Sequence, residues 1–271
     1  MSAEERRVAI VTGAGGGVGR ATAKLFAAAG WAVVAADLDA AGVEQTVAEI
    51  GAEGGEALAS VTDISDPDRV EAMVALAVDT YGGLDAAVNN AAIPQVIRDG
   101  RPAGTPLHEM SREEWDRVVG INLSGTFFCL QSELRAMRAS GRGGAIVNVS
   151  SASAVRALEG LGAYIPTKKG VFGLTEVAAV ENGRHGIRVN TVIPGNVTET
   201  KMSFLEPDAE QAAATAKTFA EVSPLERGAV PSELGEAILW LCTDGASYVT
   251  GTSLLVDGGT TVRHPASKEM G

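Results

Sequence analysis

The chain has 271 residues, enough for a large domain with a sizeable core, and 45% of them are hydrophobic, which excludes a disordered chain. Lys plus Arg numbers 22 against 34 Asp plus Glu, a formal net charge of −12. That balance argues against nucleic acid or an anionic membrane as the main partner.

The opening MSAEERRVAIVTG carries no apolar leader, and no run of about 18 apolar residues follows. A soluble, cytoplasmic protein is therefore expected. Residues 8–11 are a short apolar run ending at Thr12-Gly13, the pattern of a buried parallel strand. Gly13-Ala14-Gly15-Gly16-Gly17-Val18-Gly19 follows and leads into residues 20–29, rich in helix formers and closed by Gly30. Strand, glycine turn and helix make an anion-binding arrangement, in which free N–H groups and the positive end of the helix face a phosphate. A plain βα turn needs fewer glycines, and a Walker motif is excluded because no Gly-Lys-Ser/Thr follows. Residues 31–36 read as a second strand ending at Asp37. In a dinucleotide fold an acid at this place accepts hydrogen bonds from the adenosine ribose and repels a 2′-phosphate. Neither Gly16 nor Leu38 supplies a cation to offset that repulsion, so NAD is favoured over NADP.

Residues 40–50 read as a helix and 57–61 as a third strand, followed by Thr62-Asp63-Ile64. Residues 67–81 form an amphipathic helix, with Ser65 or Asp66 as its cap and Pro67 just inside. Residues 84–88 are a fourth strand opening into Asn89-Asn90-Ala91-Ala92. The alternation implies an α/β fold: a Rossmann-type, doubly wound parallel sheet of about seven strands, with helices on both faces and ligand at the carboxyl ends. Residues 93–110, with Pro94, Gly100, Pro102, Gly104 and Pro106, read as a long loop, either over the active-site edge or as a plain surface connection.

Ser111-Arg-Glu-Glu114 matches a capping box and starts a long helical run. Asn122 lies inside that run, where asparagine needs a reason. Residues 145–149 are a fifth strand, ending in Ser150-Ser151. Thirteen positions after Ser151 stands Tyr164, and four after that Lys168, on the same helix face with Cβ atoms about 5–6 Å apart. A phenol beside an ammonium is expected to have a lowered pKa. Alone, Y-x-x-x-K is a chance-level pattern. The helix runs to about residue 182, and residues 187–192 form a sixth strand ending Ile193-Pro194-Gly195-Asn196-Val197. Residues 197–223 are polar and Ala-rich and read as one or two mobile helices. A helix over 231–242 with Ser232 as its cap and a final strand over 251–256 complete a single domain, residues 8–259. Residues 1–7 are a lead and 260–271 a polar tail; 93–110 and 196–223 are the candidate substrate segments. Cys129 and Cys242 sit in apolar surroundings and read as buried thiols, and no Cys/His cluster suggests a metal.

Over residues 8–259 the sequence resembles the short-chain dehydrogenase/reductase family. Thr12-Gly13 through Gly17-Val18-Gly19 is similar to its T-G-x-x-x-G-x-G turn, Asp63 to the acid that contacts adenine, and Asn89-Asn90-Ala91 to N-N-A. Asn122, Ser151, Tyr164 and Lys168 match its catalytic tetrad, and Pro194-Gly195 the P-G beside the nicotinamide. The resemblance implies a dinucleotide held by Gly13, Gly15, Gly16, Gly17, Val18, Gly19, Asp37, Leu38, Thr62, Asp63, Ile64, Asn90, Ala91, Ala92, Tyr164, Lys168, Pro194, Gly195, Val197, Thr198 and Thr200. It also implies a dimer or tetramer, to which Phe127, Phe128, Val171 and Phe172 belong as interface or as core. Departures are Ala92 for the usual glycine, Pro166 between Tyr164 and Lys168, and Glu199 where the family has threonine. Proline is tolerated only in the first helical turn, so the helix is expected to begin near Gly162 or Ala163.

The implied activity is hydride transfer between NAD and a small alcohol or ketone. Tyr164 would act as general acid/base, Ser151 would orient the substrate oxygen, and Lys168 would hold the nicotinamide ribose and favour phenolate. Asn122 would hold a water linking Lys168 to solvent. A 3-oxoacyl-thioester reductase and a sugar or cyclic-alcohol dehydrogenase fit the same residues. A non-catalytic dinucleotide-binding regulator would have little need for Lys168 beside Tyr164.

Overall fold

Residues Val8–Thr12 form β1, buried along its whole length, as a β-branched run flanked by helices on both faces should be. The chain continues through α1 (Gly17–Ala28), β2 (Ala32–Asp37), α2 (Ala40–Ala52), β3 (Glu56–Val61), α3 (Pro67–Tyr81) and β4 (Ala86–Asn89). After it come a short hairpin, β5 (Val96–Arg98) with β6 (Arg101–Ala103), then α4 (Arg112–Val119), α5 (Thr126–Ser140) and β7 (Gly144–Val149). The last elements are α6 (Tyr164–Asn182), β8 (Ile187–Pro194), α7 (Ala209–Val222), α8 (Pro231–Cys242) and β9 (Ser253–Val256). This computed structural model describes residues 6–98, 101–200 and 209–263. The expected loop residue Gly100, part of the 196–223 segment and most of the tail lie outside the described residues.

The seven-stranded sheet has the order β3-β2-β1-β4-β7-β8-β9, and its neighbouring strands pair in parallel. Alternating side chains of β1 feed two cores. Ala9 and Val11 pack with Phe26, Ile50, Leu234 and Ile238 from α1, α2 and α8. Val8 and Ile10 pack with Val70, Met73, Leu130 and Met137 from α3 and α5. The strand order reverses between β1 and β4, whose carboxyl ends therefore open a crevice at the switch point.

Two local readings differ from expectation, and a third is narrowed. Residues 93–110 are not all loop: β5 and β6 pair antiparallel, from Val96↔Ala103 to Arg98↔Arg101. The expected cap Ser232 lies inside α8, because Pro231 takes its first position and the Glu233 carboxylate accepts the Val230 N–H at 2.9 Å. Of the two caps considered for α3, Asp66 is the one used, accepting from the Asp68 and Arg69 N–H groups.

Candidate active site

The crevice at the switch point is closed from below by a clasp. Thr12 Oγ donates to Val88 O at 3.2 Å and accepts the Asn90 and Ala91 N–H groups at 3.0 and 3.1 Å. Asn90 Nδ2 returns to Thr12 O at 3.0 Å, joining the β1 and β4 ends. Above it the glycine turn leaves no room for side chains at Gly13 and Gly19. A Cβ on Gly19 would lie 2.0 Å from Gly13 O, and one on Gly13, which has φ +70, would lie 2.5 Å from Asn90 Nδ2. Gly16 is the N-cap of α1 and offers no side-chain cap, so the helix end presents bare backbone. This bare, tightly wound turn at a helix N-terminus fits the pyrophosphate of a dinucleotide. Val18 packs into the core beneath it.

Asp37 ends β2 beside the turn. Its two carboxylate oxygens accept the Gly15 and Asp39 N–H groups, at 2.8 and 2.9 Å. Leu38 is exposed next to it, and the Thr62 N–H holds Asp37 O at 2.9 Å. Asp63 is aimed by Ser65, whose N–H and hydroxyl both donate to its Oδ1, and Ile64 is buried against Gly125. Arg20 is the basic residue of the turn, and its guanidinium is spent: it donates to Thr46 Oγ, Gly15 O and Gly42 O and pairs with Glu49 at 3.5 Å.

Ser151 sits at the end of β7 and Tyr164 is the first residue of α6. The two elements are pinned together one turn further on. Lys168 Nζ donates to Val149 O at 2.9 Å, and Ser150 Oγ donates to Lys168 O at 2.8 Å. This sets Ser151, whose Oγ shares a 2.8 Å hydrogen bond with Ser153 Oγ, on the same edge as Tyr164 and leaves Lys168 Nζ 5.9 Å from the Tyr164 ring centroid. Burial pushes the Lys168 amine down to about 8. The expected lowering of Tyr164 does not occur in the chain alone. Burial pushes the phenol up to about 12, and the Ser151 hydrogen bond offsets only part of that.

Asn122 lies in a π-helical turn, residues Gly120–Gly125, between α4 and α5. The wider turn accommodates an asparagine that a regular helix would not favour. Its carboxamide grips Ile93: Oδ1 accepts the Ile93 N–H at 2.8 Å and Nδ2 donates to Ile93 O at 2.9 Å. Its main-chain carbonyl accepts from Thr126 Oγ at 2.8 Å. The turn packs on α6, where a Cβ on Gly170 would lie 2.8 Å from Leu123 Cδ1.

A family model described as Enoyl-(Acyl carrier protein) reductase matches residues 13–261. A short chain dehydrogenase/reductase astE of Aspergillus oryzae is 43% identical over 255 residues, 93% of this chain and 94% of that protein. The chain belongs to the short-chain dehydrogenase/reductase family. A 2,5-dichloro-2,5-cyclohexadiene-1,4-diol dehydrogenase of Sphingobium indicum is 41% identical over 261 residues, 96% of this chain and 99% of that protein. Among solved structures, that of a levodione reductase superposes with a TM-score of 0.85 at 35% identity, covering 95% of this chain and 98% of that one.

Each departure from the short-chain dehydrogenase/reductase pattern has a local physical reading. Pro166 is the third residue of α6, inside its first turn, so the helix starts at Tyr164, a residue or two later than expected, and Lys168 keeps its place one turn on. Ala92 has ordinary backbone angles, since Glu199 and Glu226 are the only non-glycine residues with positive φ among the described residues. Glu199, at φ 55, is held in the left-handed region between two candidate cofactor residues. Beyond it Thr200 turns towards the glycine turn, 3.3 Å from where a Gly17 Cβ would lie, while Thr198 is tied to Ala229 O by its N–H and hydroxyl. Val197 is buried, and the Gly195 N–H after Pro194 donates to Val256 O at 3.1 Å. Gln95, in the candidate substrate segment 93–110, is 1% exposed and faces the start of α6. The sequence signal for it was indirect: α6 has alanine where a capping residue belongs.

Proposed function

We propose that this chain is an NAD-dependent oxidoreductase that interconverts a secondary alcohol and a ketone, with a small cyclic alcohol as the favoured substrate class. The observation that carries the reading is Tyr164 beside an anchored Lys168, Nζ 5.9 Å from its ring, at the carboxyl edge of the sheet next to a bare glycine turn. Bound NAD supplies the hydride acceptor for alcohol oxidation, and NADH the donor for the reverse.

The chain's own residues bind, orient and move the proton. The Ser151 hydroxyl donates to the substrate oxygen and aims it at Tyr164. In oxidation the Tyr164 phenolate oxygen takes the hydroxyl proton, and in reduction the phenol returns one to the nascent alkoxide. A phenol held at about 12 is protonated at neutral pH, which suits reduction. Two positive charges favour the phenolate that oxidation needs: the Lys168 ammonium and the oxidised nicotinamide. With its amine at about 8, Lys168 is mostly charged at neutral pH. One of its N–H groups is spent on Val149 O, leaving two for the ribose hydroxyls and a proton-relaying water. The preference for NAD over NADP rests on Asp37 and on Arg20, which is already committed to backbone carbonyls and Glu49. The cyclic-alcohol class is supported by the name of the Sphingobium relative.

A homo-oligomer and a cytoplasmic location belong to the same proposal. The outer faces of α5 and α6 expose Phe127, Val177 and Val180, the last at 85%, whereas Val171 is core. No helix among the described residues is long and apolar enough to cross a membrane. The test is absorbance at the NADH band over a panel of cyclic, acyclic and sugar alcohols and a 3-oxoacyl thioester, with NAD and NADP in parallel. Turnover of cyclic alcohols with NAD supports the reading, and turnover of the thioester alone replaces it.

A further inference from the structure

α6 carries Tyr164 and Lys168 but begins without a local cap. Ala163 stands at the N-cap and has no side-chain acceptor. The first donors of the helix are nonetheless satisfied. The Ile165 N–H reaches Leu161 O at 3.0 Å, the Thr167 N–H reaches Ala163 O at 3.3 Å, and Pro166 has no N–H to satisfy. The other two, from Ala163 and Tyr164, converge on Gln95 Oε1 at 2.9 and 3.2 Å. Gln95 is thus a remote cap, 69 positions before Tyr164 in the chain.

The group that supplies the cap is itself held on every side. Gln95 Nε2 donates to Gly160 O at 2.6 Å, and Arg117 donates to Gln95 O. Two residues earlier, the Asn122 carboxamide grips both backbone groups of Ile93. Gly160 O also accepts the Thr105 N–H at 2.9 Å, so both feet of the β5–β6 hairpin, Gln95 and Thr105, rest on one carbonyl just before Tyr164. The backbones touch there: a Cβ on Gly160 would lie 2.6 Å from Gly104 Cα. This explains why asparagine in the π turn, far from α6 in sequence, matters to the tyrosine. Asn122 holds Ile93, Ile93 leads to Gln95, and Gln95 holds the N–H of Tyr164 itself.

We propose that Gln95 is a positioning residue for Tyr164: by capping the first two N–H groups of α6 it fixes where the phenol stands at the edge of the sheet. The proposal rests on reading Tyr164 as the proton-transfer group. A cap that served stability alone would lower the unfolding midpoint and leave kcat of the folded enzyme unchanged. Gln95→Leu removes the acceptor along with the Nε2–H that Gly160 O accepts. In the full chain, Gln95→Leu is expected to speed hydrogen exchange of the Ala163 and Tyr164 amides by about tenfold or more. It should lower kcat by about 10- to 100-fold with the NADH dissociation constant, from fluorescence titration, unchanged. If Gln95→Leu does not fold, Gln95→Asn, too short to reach both amides, takes its place with the same expected losses. Wild-type kcat in a folded, NADH-binding Gln95→Leu or Gln95→Asn enzyme would overturn the proposal. If the wild type turns over no alcohol, the reading of Tyr164 fails instead, and the exchange rates alone decide whether Gln95 caps the helix.

Discussion

Glu133→Gln isolates the most costly ionisable group that the proposed chemistry does not use. Glu133 is fully buried on α5, and its Oε2 accepts from Asn89 Nδ2 at 2.9 Å. Its Oε1 and Asn89 Oδ1 are both buried without a partner, so a negative charge on the carboxyl would be poorly compensated. Burial pushes the group from 4.5 up to about 7, against a smaller lowering by Asn89. Because the folded value lies above the unfolded one, folding binds the proton. The resulting stability is present below pH 4.5 and is lost as pH rises through about 7. That gap is worth on the order of 3 kcal/mol, of which about 2–3 kcal/mol should disappear between about pH 5 and pH 8. Glutamine has the same shape and no proton to lose, so this part of the pH dependence should vanish. The assay is urea denaturation followed by tryptophan fluorescence at matched protein concentration. The variant's stability relative to wild type should rise by about 2–3 kcal/mol from about pH 5 to pH 8. An unchanged difference at the two pH values would refute the reasoning.

Further outcomes follow from the cofactor turn and the phenol. Asp37→Ala should narrow or reverse the ratio of kcat/KM for NAD to that for NADP, and a wild type that prefers NADP would remove the role given to this acid. Gly19→Ala puts a Cβ 2.0 Å from Gly13 O and should abolish NADH binding as measured by fluorescence titration; normal affinity would mean that the turn relaxes freely. Because burial holds Tyr164 up to about 12, it is protonated at neutral pH and donates in that form. Alcohol oxidation, which needs the scarce phenolate, should therefore speed up as pH rises through about 7 to 9, while carbonyl reduction, served by a phenol that stays protonated, should lose no rate to phenol ionisation. An oxidation rate that falls with pH over that range would take the phenol out of the proton transfer.

The sheet was legible in the sequence because its strands are short apolar runs punctuated by glycine and asparagine, and because the helices between them carry regular periodicity. The site was legible where one residue type does one job at fixed spacing: the glycine turn, Ser151, Tyr164 and Lys168. What stayed hidden depends on contacts between distant residues. The π turn at Asn122 is stabilised by its grip on Ile93, which no local propensity encodes. The β5–β6 hairpin has strands of three residues in a stretch rich in proline and glycine, too short for alternation to register. The direction of the Tyr164 shift was misread because proximity to Lys168 was counted and burial was not. Gln95 capping α6 is the extreme case, a helix start satisfied by a residue from another loop.

The central claim is that Tyr164 moves the proton in a dinucleotide-dependent alcohol–ketone interconversion. Tyr164→Phe removes one hydroxyl and keeps the ring that packs beside Lys168. With the alcohol that wild type oxidises best, the variant should lose about 10²- to 10⁴-fold in kcat while binding NADH with wild-type affinity. Wild-type turnover in that variant would contradict the account.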